Sequence, residues 1–434
     1  MTATTIHAPG PSRPPTPPTP PQQSGLYFGW VIVGACTILT LLTVGMRMGI
    51  GPFMLPMSQD LGFSRSLLSS IVAIGMLCYG LGMPVAGWLV ARQGTRKVLL
   101  LGTVIVVLSC IWTVNARTPW SFFWAYGVAL SLGLAFTSPV AVTPMISRWF
   151  SRQRGMALFF LSTGSMAGIA VMTPVFTYTI GRWGWQYSLL GFALVFALII
   201  SAMALGIVRD EAPENTDLTA AQIEAKRQLA AATQAQAAIK KTALSFRQAI
   251  ATAPFWIIFL GLFACGFSMN LLGTHGVPML MDHGFDAGSS AGGIGLIGLV
   301  AIFSTLALGK LSDMVPRRYI LAVIYLVRGL GFIGLVAVIH HWQLYAVAAI
   351  GGIVWAGSIA ASSAILGDLY GIKLVGLLYG WAYLGHQIGA MISSWLGGWA
   401  FEQFGTHWIA FGAAAALLIG AALVSLKLPT ALKT

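Results

Sequence analysis

The chain has 434 residues, 57% hydrophobic and 8% charged, with 24 Lys and Arg against 11 Asp and Glu. Soluble domains carry roughly 25% charged residues, so a string of soluble domains of this total length is excluded. The net charge of +13 falls in short polar breaks between apolar runs, which ties it to membrane topology and not to nucleic acid.

Residues 1–26 contain "HAPGPSRPPTPPTPPQQSG", too rich in proline to pack a core, and are read as a disordered cytoplasmic tail. The tail lacks the cationic-then-apolar order of a cleavable signal, so the first apolar helix reads as the insertion signal itself. Apolar runs then recur at about 28–56, 67–91, 97–115, 120–146, 155–180, 186–208, 253–280, 290–312, 318–340, 342–368, 375–401 and 406–427. Each is long enough to cross a hydrocarbon core of about 30 Å. The expected fold is an all-α integral membrane protein with twelve transmembrane helices in two six-helix units, 27–208 and 253–428, joined by a polar cytoplasmic linker, 209–252. With both termini in the cytoplasm, only Arg65, Arg117 and Arg182 fall in outer loops, as the positive-inside rule requires.

Helix 1 carries Arg47 within "TVGMRMGIGP", on a stripe with Cys36, Thr40, Thr43 and Gly51 at helical spacing. Facing lipid, a guanidinium near mid-membrane costs at least ~2.5–3.5 kcal/mol. Facing a wet cavity it costs far less and can grip a carboxylate with two hydrogen bonds. Arg47 is therefore read as an anion-binding residue, the alternative being a strut satisfied by helix-end carbonyls. Gly51-Pro52 just beyond is expected to bend or break the helix.

Helix 4 offers Trp124 and Ser131. Helix 7 places Asn270 and Thr274 one turn apart, with His275 beside them. On helix 9, Arg328 is expected to pack or to snorkel. Helix 10 offers Gly351, Trp355, Ser358 and Ser362, and on helix 11 Tyr379, Tyr383, His386 and Gln387 share one face. For each aromatic, packing or an interfacial belt competes with ligand contact. His275 and His386 either titrate near neutral pH, coupling substrate to protons, or pack between helices. All 11 acidic residues lie in loops or at helix ends, so no mid-membrane carboxylate awaits a cationic substrate. The sign of the cavity favours anions.

Cys36, Cys78, Cys110 and Cys265 lie inside predicted helices without paired spacing and read as packing residues. No metal site and no cofactor is expected. An enzyme would need converging His, Asp and Glu, which the chain lacks, so the expectation is a non-enzyme.

The halves repeat. "PMSQDLGF" (56–63) returns as "PMLMDHGF" (278–285), "GWLVARQGTRK" (87–97) as "GKLSDMVPRRY" (309–319), and "GSMAG" (164–168) as "GHQIG" (385–389). The second of these pairs resembles the Gly-x-x-x-Asp-Arg-x-Gly-Arg-Arg signature of the major facilitator superfamily. That resemblance implies a cytoplasmic latch from Arg92, Arg96 and Lys97 in one half and Asp313, Arg317 and Arg318 in the other. Ala91 stands where the signature has Asp, so the first latch is expected to be incomplete. The alternative is that these charges only set topology.

"YFGWVIV" (27–33), "RWFSRQRGMAL" (148–158), "FWIIFLGLFACGF" (255–267), "THGVP" (274–278) and "GHQIGA" (385–390) resemble bacterial relatives of the monocarboxylate transporters and oxalate/formate antiporters. The resemblance implies a cavity lined by helices 1, 4, 7 and 10, alternating access about a midplane site, and a monomer in a bacterial inner membrane. It also implies helix 8 and helix 11 charges that are missing here, their positions falling on Ala301, Thr305 and Ala382. A two-cation dicarboxylate grip is therefore not expected. The sequence reads as a secondary transporter of a small organic anion, a monocarboxylate, coupled to protons; the alternative is an exporter of amphipathic or neutral metabolites.

Overall fold

The computed structural model describes residues 27–150, 153–211, 245–311, 314–355, 357–370 and 372–429. The Pro-rich tail, most of the linker and Asp313 lie outside them. Among the described residues the chain crosses the bundle twelve times, and the crossings are labelled α1 to α12.

α1 runs over Phe28–Met48 and, past a break at Gly49, over Gly51–Leu61. Gly49 ends the first helix and the second carries Pro52 in its first turn, so the break comes slightly before the Gly-Pro pair. α2 is Arg65–Gln93 and α3 is Thr95–Asn115. α4 spans Pro119–Trp149 but includes a π-helical stretch, Phe123–Leu130, and a second break before Pro139. α5 and α6 form one run, Arg154–Gly206, that turns at Gly184. In the second half, α7 is Ala253–Asp282, α8 Ala287–Leu311 and α9 Arg317–Val336. α10 is split into His341–Ile353 and Gly357–Tyr370; α11 is Ile372–Phe404 and α12 Trp408–Ser425.

The backbone carries the internal repeat. Gly62 and Gly284 (284 − 62 = 222) both end a crossing at positive φ, 67° and 91°. Gly184 and Gly405 (405 − 184 = 221) do the same at 83° and 64°. Only glycine enters this region without strain, so two pairs at one offset mark two copies of a single chain path.

The buried apolar residues fall into two clusters, one almost wholly from α1–α6 and one almost wholly from α7–α12. Three seams join them. α2 meets α11 where Gly80 abuts Gln387 and Gly398 abuts Ser69, while α5 meets α8 where Gly295 and Gly298 abut Ala170 and Met166. α1 meets α7 where Gly51 lies against the Gly273 carbonyl.

At the end of the bundle away from residues 27 and 429, polar contacts also cross between halves. Arg65 at the start of α2 donates twice to Asp282 at the end of α7, at 2.6 and 3.1 Å, and Ser66 N–H donates to Glu402 at 3.1 Å. At the opposite end the described hydrogen bonds stay within one half, such as Arg318 to the Leu428 carbonyl and Thr95 N–H to Asp210. The molecule is held shut at the end far from the described termini.

Candidate substrate site

Arg47 sits in the last turn before the break in α1, half-buried, with its described contacts all in the first half. Its guanidinium lies over the Tyr79 ring at 4.6 Å, and Nη1 donates to Met76 Sδ at 3.8 Å. Nε is buried without a partner, and none of the described contacts of Arg47 goes to a carboxylate or to a helix-end carbonyl. A guanidinium drawn partly out of water without a counter-charge is costly, and an anion beside it offsets that cost. A cavity of about 20 Å³, room for one ordered water, adjoins the side chain and is lined by Met46, Met76, Tyr79, Tyr126 and Ser131. Tyr126 belongs to the π-helical stretch of α4, a local geometry frequent at functional sites.

One residue on from Tyr79, Gly80 packs on Gln387 of α11. On α11 the Tyr383 and His386 rings stack at 4.8 Å and 7°, and the Tyr379 ring lies tilted by 38° against Tyr383 at 5.8 Å. Both ring nitrogens of His386 and both side-chain polar atoms of Gln387 are buried and unpartnered. Across α7, Asn270 Nδ2 donates to the Gly266 carbonyl at 2.9 Å while Oδ1 has no partner. Gly266 in turn lies against the His386 backbone. One cation with a set of unanswered donors and acceptors is an arrangement able to receive an anion that also carries hydrogen-bonding groups.

Other residues singled out in the sequence sit elsewhere. Thr274 shares a hydrogen bond with Ser394 at 3.4 Å and His275 Nε2 bonds the Ser394 carbonyl at 2.8 Å, both in the packed α7–α11 interface. Trp355 is buried in the second half beneath Arg328, 5.1 Å from its ring. Arg328 does not snorkel: it is 1% exposed and bonds Cys265 Sγ at 3.2 Å and the carbonyls of Val354 and Trp355 at the break in α10. The helix 1 stripe does not line a wet channel. Thr40 bonds the Cys36 carbonyl, and Thr43 bonds Thr137 at the break in α4, both fully buried inside the first half. Trp124 is exposed on the outer surface.

At the terminal end, Arg96 donates to the carbonyls of Ala204 and Leu205, the last turn of α6. Arg92 stacks on Trp88 at 4.3 Å, Lys97 is exposed, and Arg317 pairs with Asp368. A carboxylate from elsewhere in the chain serves the turn where Ala91 lacks one: Asp210, in the loop after α6, accepts the Thr95 N–H at 2.8 Å. Tyr79, Tyr126, Asp210 and the Arg65–Asp282 contact were not singled out in the sequence. The repeated "PMSQD" and "PMLMD" contain Asp60 and Asp282, the one signal that pointed toward the last of these.

A model of the Major Facilitator Superfamily matches residues 36–341 and 316–433. The chain belongs to this superfamily. As a superfamily member it is a multi-pass membrane transporter of a small molecule, and its relatives are transporters and not enzymes. It is 27% identical over 373 residues to an uncharacterised MFS-type transporter, YcxA, of Bacillus subtilis, covering 82% of this chain and 83% of that one. It is 24% identical over 445 residues to human monocarboxylate transporter 11, covering 99% of this chain and 87% of that one. The fold matches a bacterial homologue of the human lysosomal transporter Spinster in an inward-facing, occupied conformation, with TM-score 0.69, 15% identity and coverage of 93% and 97%.

Proposed function

We propose that this transporter carries a monocarboxylate across a bacterial inner membrane by alternating access, with protons, as a monomer whose termini are cytoplasmic. The observation that carries the reading is Arg47, a half-buried guanidinium with no carboxylate among its described partners. Monocarboxylate transporters among the relatives support the same class of substrate. In this reading the carboxylate docks on Arg47 and the hydrogen-bonding groups of Asn270, His386 and Gln387 meet the rest of the molecule, beside the Tyr379–Tyr383 rings. Thr274, His275 and Trp355 act one layer out by holding α7, α11 and α10 in place. Arg92, Arg96, Lys97, Asp313, Arg317 and Arg318 are assigned to closure of the cytoplasmic end, with 27–208 and 253–428 as the rocking units and 209–252 as the tether.

The test is uptake of radiolabelled lactate, pyruvate and benzoate into proteoliposomes, with and without an inward proton gradient. Gradient-driven uptake that falls at least tenfold in Arg47→Gln, with the variant still monodisperse, is the expected result. Uptake indifferent to Arg47 or absent for every acid overturns the reading. An exporter of amphipathic neutral molecules is the second reading, favoured by the Met46, Met76, Tyr79 and Tyr126 lining. It predicts counterflow of an amphipathic dye that anions do not inhibit.

A further inference from the structure

Of the contacts that cross between the halves at the end far from the described termini, one is made to a carboxylate with two claimants. Asp282 Oδ2, at the end of α7, accepts from Arg65 Nη1 of α2 at 2.6 Å and from His407 Nε2, just before α12, at 2.9 Å. Both claimants also rest on Phe401 of α11: the His407 ring stacks on it at 4.3 Å and the Arg65 guanidinium lies over it at 4.4 Å. An ionised carboxylate only accepts, so Nε2 carries the hydrogen, and the second proton of an imidazolium belongs on Nδ1. Nδ1 is buried without a hydrogen-bond partner. A proton there finds no acceptor in this arrangement, and the imidazolium it forms stands beside Arg65, on a carboxylate whose charge one cation already balances. Among the described residues, the other titratable groups around His407 are Glu402, His283 and His275. Glu402 of α11 accepts the Ser66 N–H, the His283 ring of α7 lies 6.0 Å away, and His275, deeper on α7, is bonded to the Ser394 carbonyl.

The internal repeat shows that this position does not require a histidine. In the first half the same place (407 − 186 = 221) is held by Gln186, whose Nε2 donates to Asp60 at 2.7 Å. An uncharged N–H donor is enough to hold the aspartate. The titratable ring stands in the copy whose aspartate reaches across to the other half.

We propose that His407 is a proton-binding site that controls this closure: a proton on its ring competes with Arg65 for Asp282, so acidity at that end releases Arg65 and opens the bundle there. The inference rests on the alternating-access reading and names the group through which protons enter it; it holds whichever molecule is carried. The coupling is reciprocal: protonation loosens the Arg65 bond, and departure of Arg65 leaves Asp282 free to hold an imidazolium. An imidazole ordinarily changes charge at about pH 5–8, the range in which such a device responds.

The test is the distance between spin labels on Gln59→Cys and Gln403→Cys, exposed positions in opposite halves at that end, measured by double electron–electron resonance in nanodiscs without substrate. Cys78→Ser in the same background removes the native cysteine that is not buried. With His407 intact, the longer-distance population should grow about fivefold between about pH 7.5 and pH 5.5. His407→Gln, the residue of the first-half copy, should keep the short distance at both pH values, and His283→Gln should respond as the parent does. Arg65→Gln should show the longer distance at both. No response in the parent, or one that persists in His407→Gln, overturns the proposal. If His407→Gln does not fold, Arg65→Gln decides, because a pH response retained without Arg65 means that the proton acts elsewhere. An Arg65→Gln protein that stays at the short distance throughout removes the gate, and with it both this inference and opening at this end. Absent carboxylate uptake beside an intact pH response overturns only the substrate reading.

Discussion

Asp210 demonstrates how a missing residue is replaced in space. The carboxylate at the α2–α3 turn comes from a position 115 residues away in sequence and satisfies the Thr95 N–H, one of the donors a helix start leaves open. Asp210→Ala should lower stability by about 1 kcal/mol, read as a fall in melting temperature, while Asp210→Asn keeps most of it. Ala91→Asp should not add to wild type, since the N–H is already bonded. His283, in the turn after α7, is held below the usual imidazole range by partial burial and by the charge of His407. Its neutral form is the one the fold favours, so it stabilises above the ordinary imidazole pKa and the benefit is lost as pH falls through the lowered value. His283→Gln should therefore flatten the acid side of a melting-temperature profile. Arg47 was legible in the sequence because a charge in an apolar run has few acceptable environments. Tyr79 was not, because an aromatic on a membrane helix looks the same whether it meets lipid or an arginine.

Among the elements, the broken crossings carry the site. α1, α4 and α10 each divide along their length, and the breaks in α4 and α10 expose carbonyls that another helix answers. Thr43 of α1 serves Thr137 in α4, and Arg328 of α9 serves Val354 and Trp355 in α10. The α1 break was legible from Gly51-Pro52 and came two residues before it, at Gly49; the α4 break precedes Pro139, a residue that disfavours helix before it. The α10 break has no proline at all, and nothing in "GGIVWAGS" separated it from an unbroken crossing. The stripe of Thr40 and Thr43 misled for a related reason. Helical spacing places residues on one face but does not say whether that face meets water or another helix. Thr43→Val leaves the Thr137 carbonyl short of a buried donor and should cost about 1–3 kcal/mol, measured by thermal unfolding of the purified protein. Thr43→Ser should cost much less.

At the scale of the whole molecule, the two halves are copies whose divergence shows at the contact between them. Asp60 and Asp282 hold equivalent positions (282 − 60 = 222). Asp60 stays within its half, accepting from Trp185 at 3.1 Å and Gln186 at 2.7 Å. Asp282 keeps the matching bond to His407 at 2.9 Å and adds Arg65 from the other half, whose guanidinium also lies over Phe401 at 4.4 Å. His407 and Asp282 share a half and move together, so among the described residues the Arg65 contacts with Asp282 and Phe401 and the Ser66 bond must part when that end opens. Arg65→Ala or Asp282→Asn should shift the population toward opening there. A cysteine placed at Ser69, buried in the α2–α11 seam, should then react several-fold faster with a membrane-impermeant maleimide. The exchange Arg65→Asp with Asp282→Arg should slow it again; equal labelling in all variants would remove the latch role. The repeat itself could be read from sequence, because its glycines and aspartates recur at a fixed spacing. The asymmetry could not, because Arg65 is an ordinary loop arginine until its partner from the other half is in place.

The seams between the halves have a mechanical consequence. Where two helices mesh by interlocking side chains, sliding one past the other requires each ridge to climb out of its groove. Gly80, Gly295, Gly298 and Gly398 give these seams smooth backbone faces against which Gln387, Ala170, Met166 and Ser69 rest. Such surfaces act as a bearing: the halves can roll over one another while staying in contact, with nothing to unlock but the few polar bonds at the rim. A bulky side chain at Gly298 would be a grain of sand in that bearing, jamming the cycle without touching the place where substrate binds.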